Sequence, residues 1–134
     1  MFFERREVMR KSQEAVRVRR EGGKLAEQAM TLCRPIIQSG EGCFSYERAD
    51  GSVEIYHKDE CELRLKDGTK INIRSRHKGD ADFVTVFNNG EEVLHARRES
   101  TNPYVPLRPW QVEVYIPGDW GEIVRRKCSR ALAS

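Results

Sequence analysis

Asp50-Gly51, Asp67-Gly68 and Asn89-Gly90 punctuate the middle of this chain, each between short runs rich in β-branched and aromatic residues. Aspartate, asparagine and glycine tolerate the positive φ angles of a type I′ turn, so these dipeptides are the strongest short-range hairpin signal a sequence carries. Three in succession predict an antiparallel meander, and helical patterns stand on either side of it. No other feature narrows the architecture as much.

From Cys43 onward the hydrophobic period is two. Cys43 to Arg48 and Val53 to His57 form the first hairpin. Residues 61–66 alternate cleanly, with Cys61, Leu63 and Leu65 inward and Glu62, Arg64 and Lys66 outward. Ile71 and Ile73 continue across Asp67-Gly68, and Arg74 to Asp80 reads as a basic loop. Phe83-Val-Thr-Val-Phe87 is apolar on both faces, as expected of a central strand or one covered by a helix. Val93 to Ala96 returns after Asn89-Gly90. A connection punctuated by Pro103, Pro106 and Pro109 leads to the last strand, Gln111 to Ile116, with Val112, Val114 and Ile116 on one face.

Before the meander, residues 4–38 carry a helical stripe that keeps phase across Gly22-Gly23. That pair reads first as a hinge between two helices, since two glycines cost about 2 kcal/mol relative to alanine in a helix interior. Its other reading is a point where a second backbone approaches closely. Leu25, Ala26, Ala29, Met30, Leu32, Cys33, Ile36 and Ile37 form a wide apolar face suited to a sheet, and Pro35 with Ser39-Gly40 ends the helix. The last helix begins at Asp119, with Glu122 in its first turn. Trp120, Ile123 or Val124, Cys128 and Ala131 or Leu132 make its apolar stripe, while Arg125, Arg126, Lys127 and Arg130 cover the opposite side and suit the negative end of the helix dipole. The expected class is α+β: a helical segment over 1–40 with its joint at 22–23, then an antiparallel sheet of six to seven strands plus a capping helix over 41–134, together one domain.

About seven strands followed by a capping helix with a tryptophan is similar to the element order of pleckstrin-homology-like domains, over residues 43–134 and in topology alone. The resemblance implies a partly open barrel. Lipid-binding members use a basic first hairpin loop, whereas this chain has Arg48-Ala-Asp-Gly-Ser52 there, so a phosphoinositide site at that loop is not expected.

Composition narrows the function classes. Charged residues make up 34% of the chain and hydrophobic ones 38%, with a net charge of +3, as in a small domain with a heavily solvated surface. No apolar run approaches the roughly 20 residues that cross a bilayer, and Met1 to Arg6 lacks the apolar core of a secretory signal, so a cytoplasmic location is expected. Cys33, Cys43, Cys61 and Cys128 are then reduced thiols rather than disulfides. Neither G-x-G-x-x-G nor a phosphate-binding loop occurs, and the glycines lie in turns, so no cofactor is expected. His57-Lys58-Asp59-Glu60-Cys61 is the densest polar cluster and reads as a charged turn. A zinc set of Cys43, His57, Cys61 and His95 requires strands one to three and six to converge, and no metal is expected.

The basic helices are the most suggestive surface. Arg5, Arg6, Arg10, Lys11, Arg17, Arg19, Arg20 and Lys24 outnumber Glu4, Glu7, Glu14 and Glu21. The first expectation is a binding module for a protein partner or for itself, with Phe2, Met9 and Val16 as apolar anchors and Arg5, Arg10, Arg17 and Arg20 as a charged rim. The second is a nucleic-acid-binding accessory protein. It adds Arg19, the Arg74, Arg76 and Lys78 loop, and Arg126 and Arg130 of the last helix, although no exposed aromatic platform stands out. The third is a small hydrolase around His57 and Asp59.

Overall fold

The computed structural model describes residues 15–32, 44–57, 59–78, 81–99 and 108–133, with backbone alone for Phe44, His77, Lys78 and residues 128–133. Helix α1 occupies residues 15–32. Seven strands follow: β1 (Phe44–Glu47), β2 (Val53–His57), β3 (Glu60–Arg64), β4 (Lys70–Lys78), β5 (Ala81–Asn88), β6 (Glu91–Glu99) and β7 (Gln111–Tyr115). Helix α2 (Asp119–Ala133) completes the α+β fold. The strands form one antiparallel sheet in chain order from β1 to β7. Among the described residues β1 and β7 do not pair with each other, so the sheet is open rather than closed into a barrel.

The three glycine turns are of two kinds. Asn89 and Gly90 both have positive φ, 51° and 82°, as a type I′ turn requires. At the other two only the glycine does, with Gly51 at 87° and Gly68 at 93°. There the amide of Gly51 donates to Arg48 O and that of Gly68 to Leu65 O, each at 3.0 Å. Each glycine thus follows a tight turn as a left-handed bulge residue, which corrects the expectation of three like turns. The aspartate before each glycine explains the repeated Asp-Gly-Ser/Thr. Asp50 Oδ1 accepts from the amide of Ser52, and Asp67 Oδ1 from that of Thr69, both at 2.9 Å.

Two strands depart from the sequence reading. Arg74 to Lys78 is not a loop but the second half of β4, in register with β5 as far as Lys78 opposite Ala81. Its alternation is genuine, with Ser75 buried between exposed Arg74 and Arg76, but the inward residue is polar and hides the pattern. In β7 the register against β6 shifts between His95 and Ala96, leaving Glu113 as an extra residue. Val112 and Tyr115 therefore pack against the core while Val114 sits opposite His95 and Ile116 is 42% exposed, so Val112, Val114 and Ile116 do not share a face.

Both helices lie on one side of the sheet. Leu25, Ala26, Ala29, Met30 and Leu32 of α1 join Cys61, Leu63, Ile71, Ile73, Val84, Val86, Leu94 and Ala96 in a single core, to which α2 contributes Trp120 and Val124. Helix α1 runs unbroken through Gly22 and Gly23. A Cβ on Gly22 would lie 2.9 Å from Val112 Cγ1 and 3.1 Å from its Cγ2, so the glycine serves a close approach to β7 rather than a joint between helices. Trp120 anchors α2: its Nε1 donates to Ile116 O at 2.8 Å and its ring meets Tyr115 edge-on with centroids 6.1 Å apart.

Candidate functional site

Two buried charges tie the helices to the sheet. The parity that turns Leu94 and Ala96 inward also turns Arg98 inward, where its side chain is 4% exposed. Its guanidinium donates to Glu27 Oε2 of α1 at 2.6 Å and to Asp82 Oδ2 of β5 at 3.0 Å. It also stacks over the Trp110 ring at 4.4 Å, and Trp110 Nε1 donates to the same Glu27 oxygen at 3.1 Å. Across the sheet, Glu54 of β2 is 2% exposed and accepts from Arg48, Tyr56 and, by a short contact, Lys127 of α2. Burial pushes the Glu54 carboxyl up, but these three donors outweigh it and hold the group below its ordinary value. Burial also raises the Tyr56 phenol far above its usual range, so it stays neutral. Lys127 thus faces inward, not outward with Arg125 and Arg126 as its place in the basic run suggested.

The Arg98 node forms the base of an open cleft of about 950 Å³ between α1 and the approach to β7. Val16, Gly23, Pro109, Trp110 and Val112 supply its apolar wall, and Arg19, Arg20, Lys24 and Arg108 supply cations around it, Arg108 with Glu99 at 3.9 Å. The carboxylate of the cleft, Glu27, is already engaged by Arg98 and Trp110. The lining is therefore apolar in the middle and positive at the edge. The bonding edge of β7 is close by, and among the described residues β7 pairs only with β6.

Of the residues singled out in the sequence, Val16, Arg19 and Arg20 meet in this cleft. Arg17 turns aside and pairs with Glu21 at 3.1 Å. Phe2, Arg5, Met9 and Arg10 lie outside the described residues. Arg74 and Arg76 project from the sheet face opposite the helices, beside Phe83 and Phe87. Lys78 ends β4 and Arg130 lies in α2, both with side chains outside the described set. Arg126 sits on the exposed side of α2, 3.6 Å from Glu122. The residues of the nucleic-acid reading are thus spread over three surfaces rather than one. His57 is exposed at the end of β2, with Asp59 in the following turn, and neither lines the cleft. Cys61 faces the core on β3 and His95 the opposite face on β6, so the zinc arrangement does not assemble. Among the described residues no group of histidine, cysteine and carboxylate side chains is placed to hold a metal ion.

Sequence reasoning missed Arg98, Trp110 and Arg108. The shared parity of Leu94, Ala96 and Arg98 was a usable signal for the first; nothing local marked the others. No described helix is long and apolar enough to cross a membrane. The chain matches no family model, no curated protein and no solved structure.

Proposed function

We propose that the protein is a small non-enzymatic binding module whose cleft takes an extended acidic segment of a partner protein. The observation that carries this reading is the cleft's composition: an apolar wall of Val16, Trp110 and Val112, four surrounding cations, and a carboxylate bound by its own neighbours. An acidic chain with interspersed apolar side chains matches both features, and aromatic and arginine side chains are those that dominate binding energy at interfaces. The edge of β7 supports an extended rather than a helical ligand, because an unpaired strand edge offers backbone hydrogen bonds to one. The same reading takes the module to act in the cytoplasm with Cys61 as a reduced thiol in the core.

The test uses two fluorescein-labelled peptides, one alternating glutamate with leucine and one alternating lysine with leucine. Anisotropy should show preferential binding of the acidic peptide, weakening with salt as exposed charge pairs do. Arg20 and Lys24 are exposed, so the double variant R20E/K24E keeps the fold and should bind the acidic peptide at least 10-fold more weakly. Equal binding of both peptides, or indifference to the charge reversal, would end this reading.

A further inference from the structure

The second surface lies on the other side of the molecule and is independent of the cleft. An antiparallel sheet with one face covered normally presents polar residues on the other. The bare face here departs from that rule at its centre. Register pairs Arg76 with Phe83 and Phe83 with Arg97, Arg74 with Thr85 and Thr85 with His95, and Asn72 with Phe87 and Phe87 with Glu92. Two half-exposed phenylalanines thus stand on β5, outside the core, between the arginine-bearing strands β4 and β6. Arg74 lies over the Phe87 ring at 5.2 Å and Arg97 over the Phe83 ring at 5.7 Å. The surface between them is a shallow depression of about 260 Å³.

The cations of this patch without a carboxylate partner among the described residues are Arg76 and Arg97, whereas Arg74 has Glu60 at 3.4 Å and His95 has Glu113 at 3.6 Å. Glu92 stands beside Phe87, and Glu99, farther along β6, is turned toward Arg108 at 3.9 Å. Phe83 and Phe87 are separated by four strand positions, roughly 13 Å at about 3.3 Å per residue, so each ring can take its own base.

We propose that this bare face binds single-stranded nucleic acid, with bases stacked on Phe83 and Phe87 and phosphates held by Arg74, Arg76 and Arg97. A base that stacks on either ring takes the place of the guanidinium now over it, and the displaced arginine turns to the phosphates; stacking tolerates any base, and the cations follow the backbone. A duplex keeps its bases stacked on one another and offers none to the rings.

The chain of residues 1–134 is titrated with fluorescein-labelled dT12, rU12 and a DNA duplex of the same length, from about 50 to 200 mM salt. Both single strands are expected to bind more tightly than the duplex, and a preference between dT12 and rU12, which differ in the sugar and in the thymine methyl, supports the site either way. The double variant F83A/F87A, at half-exposed positions, should lose about 25-fold or more for single strands, from stacking that costs about 5- to 150-fold per base when removed. Arg76→Gln should flatten the log–log salt slope by about 0.7. R20E/K24E, in the cleft, should weaken oligonucleotide binding far less than F83A/F87A does, which separates failure here from failure of the peptide site. Absence of single-strand binding at low salt, equal affinity for the duplex, or loss on R20E/K24E but not on F83A/F87A would each overturn the proposal. So would sedimentation showing a dimer that F83A/F87A converts to a monomer, because the face would then be covered by a second copy.

Discussion

Replacing Gly22 and Gly23 one at a time with alanine tests how closely α1 lies on the sheet. In an unconstrained helix interior each substitution gains up to about 1 kcal/mol, because alanine loses less backbone freedom on folding. At Gly23 the new Cβ has Trp110 Cβ at 3.7 Å, an ordinary contact, so the gain survives. At Gly22 it meets both methyls of Val112, at 2.9 and 3.1 Å, with Leu94 Cδ1 a further contact at 3.6 Å. A valine on a paired strand has little rotamer freedom with which to yield, and overpacking of this kind costs about 1–3 kcal/mol. The expected outcome is a stabilised G23A and a G22A between neutral and about 2 kcal/mol less stable than the parent. Urea unfolding followed by far-ultraviolet circular dichroism reads the difference. With a slope near 2 kcal/mol/M, a gap of about 2 kcal/mol separates the two midpoints by about 1 M. Equal stabilisation by both alanines would mean that α1 does not rest on Val112, and the cleft that depends on this contact would go with it.

Three further outcomes are expected from the core. Trp120→Ala should cost about 3–5 kcal/mol, as for other buried aromatics, and a loss under about 1 kcal/mol in the same urea experiment would mean that α2 does not dock through this ring. Arg98→Met should cost about 3–5 kcal/mol by stranding Asp82 beside a lost partner, with a matching change in Trp110 fluorescence as the guanidinium leaves its ring; a silent substitution would remove the node. The depressed Glu54 carboxyl contributes stability that is complete above its ordinary value of 4.5 and is lost as the pH falls through its lower folded value. Glu54→Gln should therefore flatten the acid limb of a stability–pH profile, and an unchanged limb would show that the carboxylate is not held ionised by Arg48 and Lys127.

What could be read in the sequence was what nearest neighbours determine. Asp50-Gly51, Asp67-Gly68 and Asn89-Gly90 need only a few adjacent residues to turn the chain, and those turns alone imply strands in chain order. The details that escaped depend on partners far along the chain. Glu27 and Arg98 are 71 positions apart, and Glu54 and Lys127 are 73, so nothing local announces that these charges pair. Ser75 concealed half of β4 because a polar residue can face inward on a strand, and the extra residue at Glu113 changed the parity of β7 without a glycine or proline to mark it. Phe83 and Phe87 were recognised as apolar on a central strand; which face the helices would leave bare was not a local property. The cleft was legible only through Val16, Arg19 and Arg20 on α1, since its opposite wall comes from residues 108–112.

The two ion pairs that join helix to sheet have opposite polarity. Helix α1 brings a carboxylate, Glu27, to a cation on β6, whereas α2 brings a cation, Lys127, to a carboxylate on β2. Apolar helix faces are largely interchangeable in what they can cover, and two helices on one sheet face have an obvious way to go wrong: each can settle in the other's place. In that exchanged arrangement Glu27 would meet Glu54 and Lys127 would meet Arg98, two like-charge encounters away from water. The charges thus act as a key for helix position, matching each helix to its own side of the sheet.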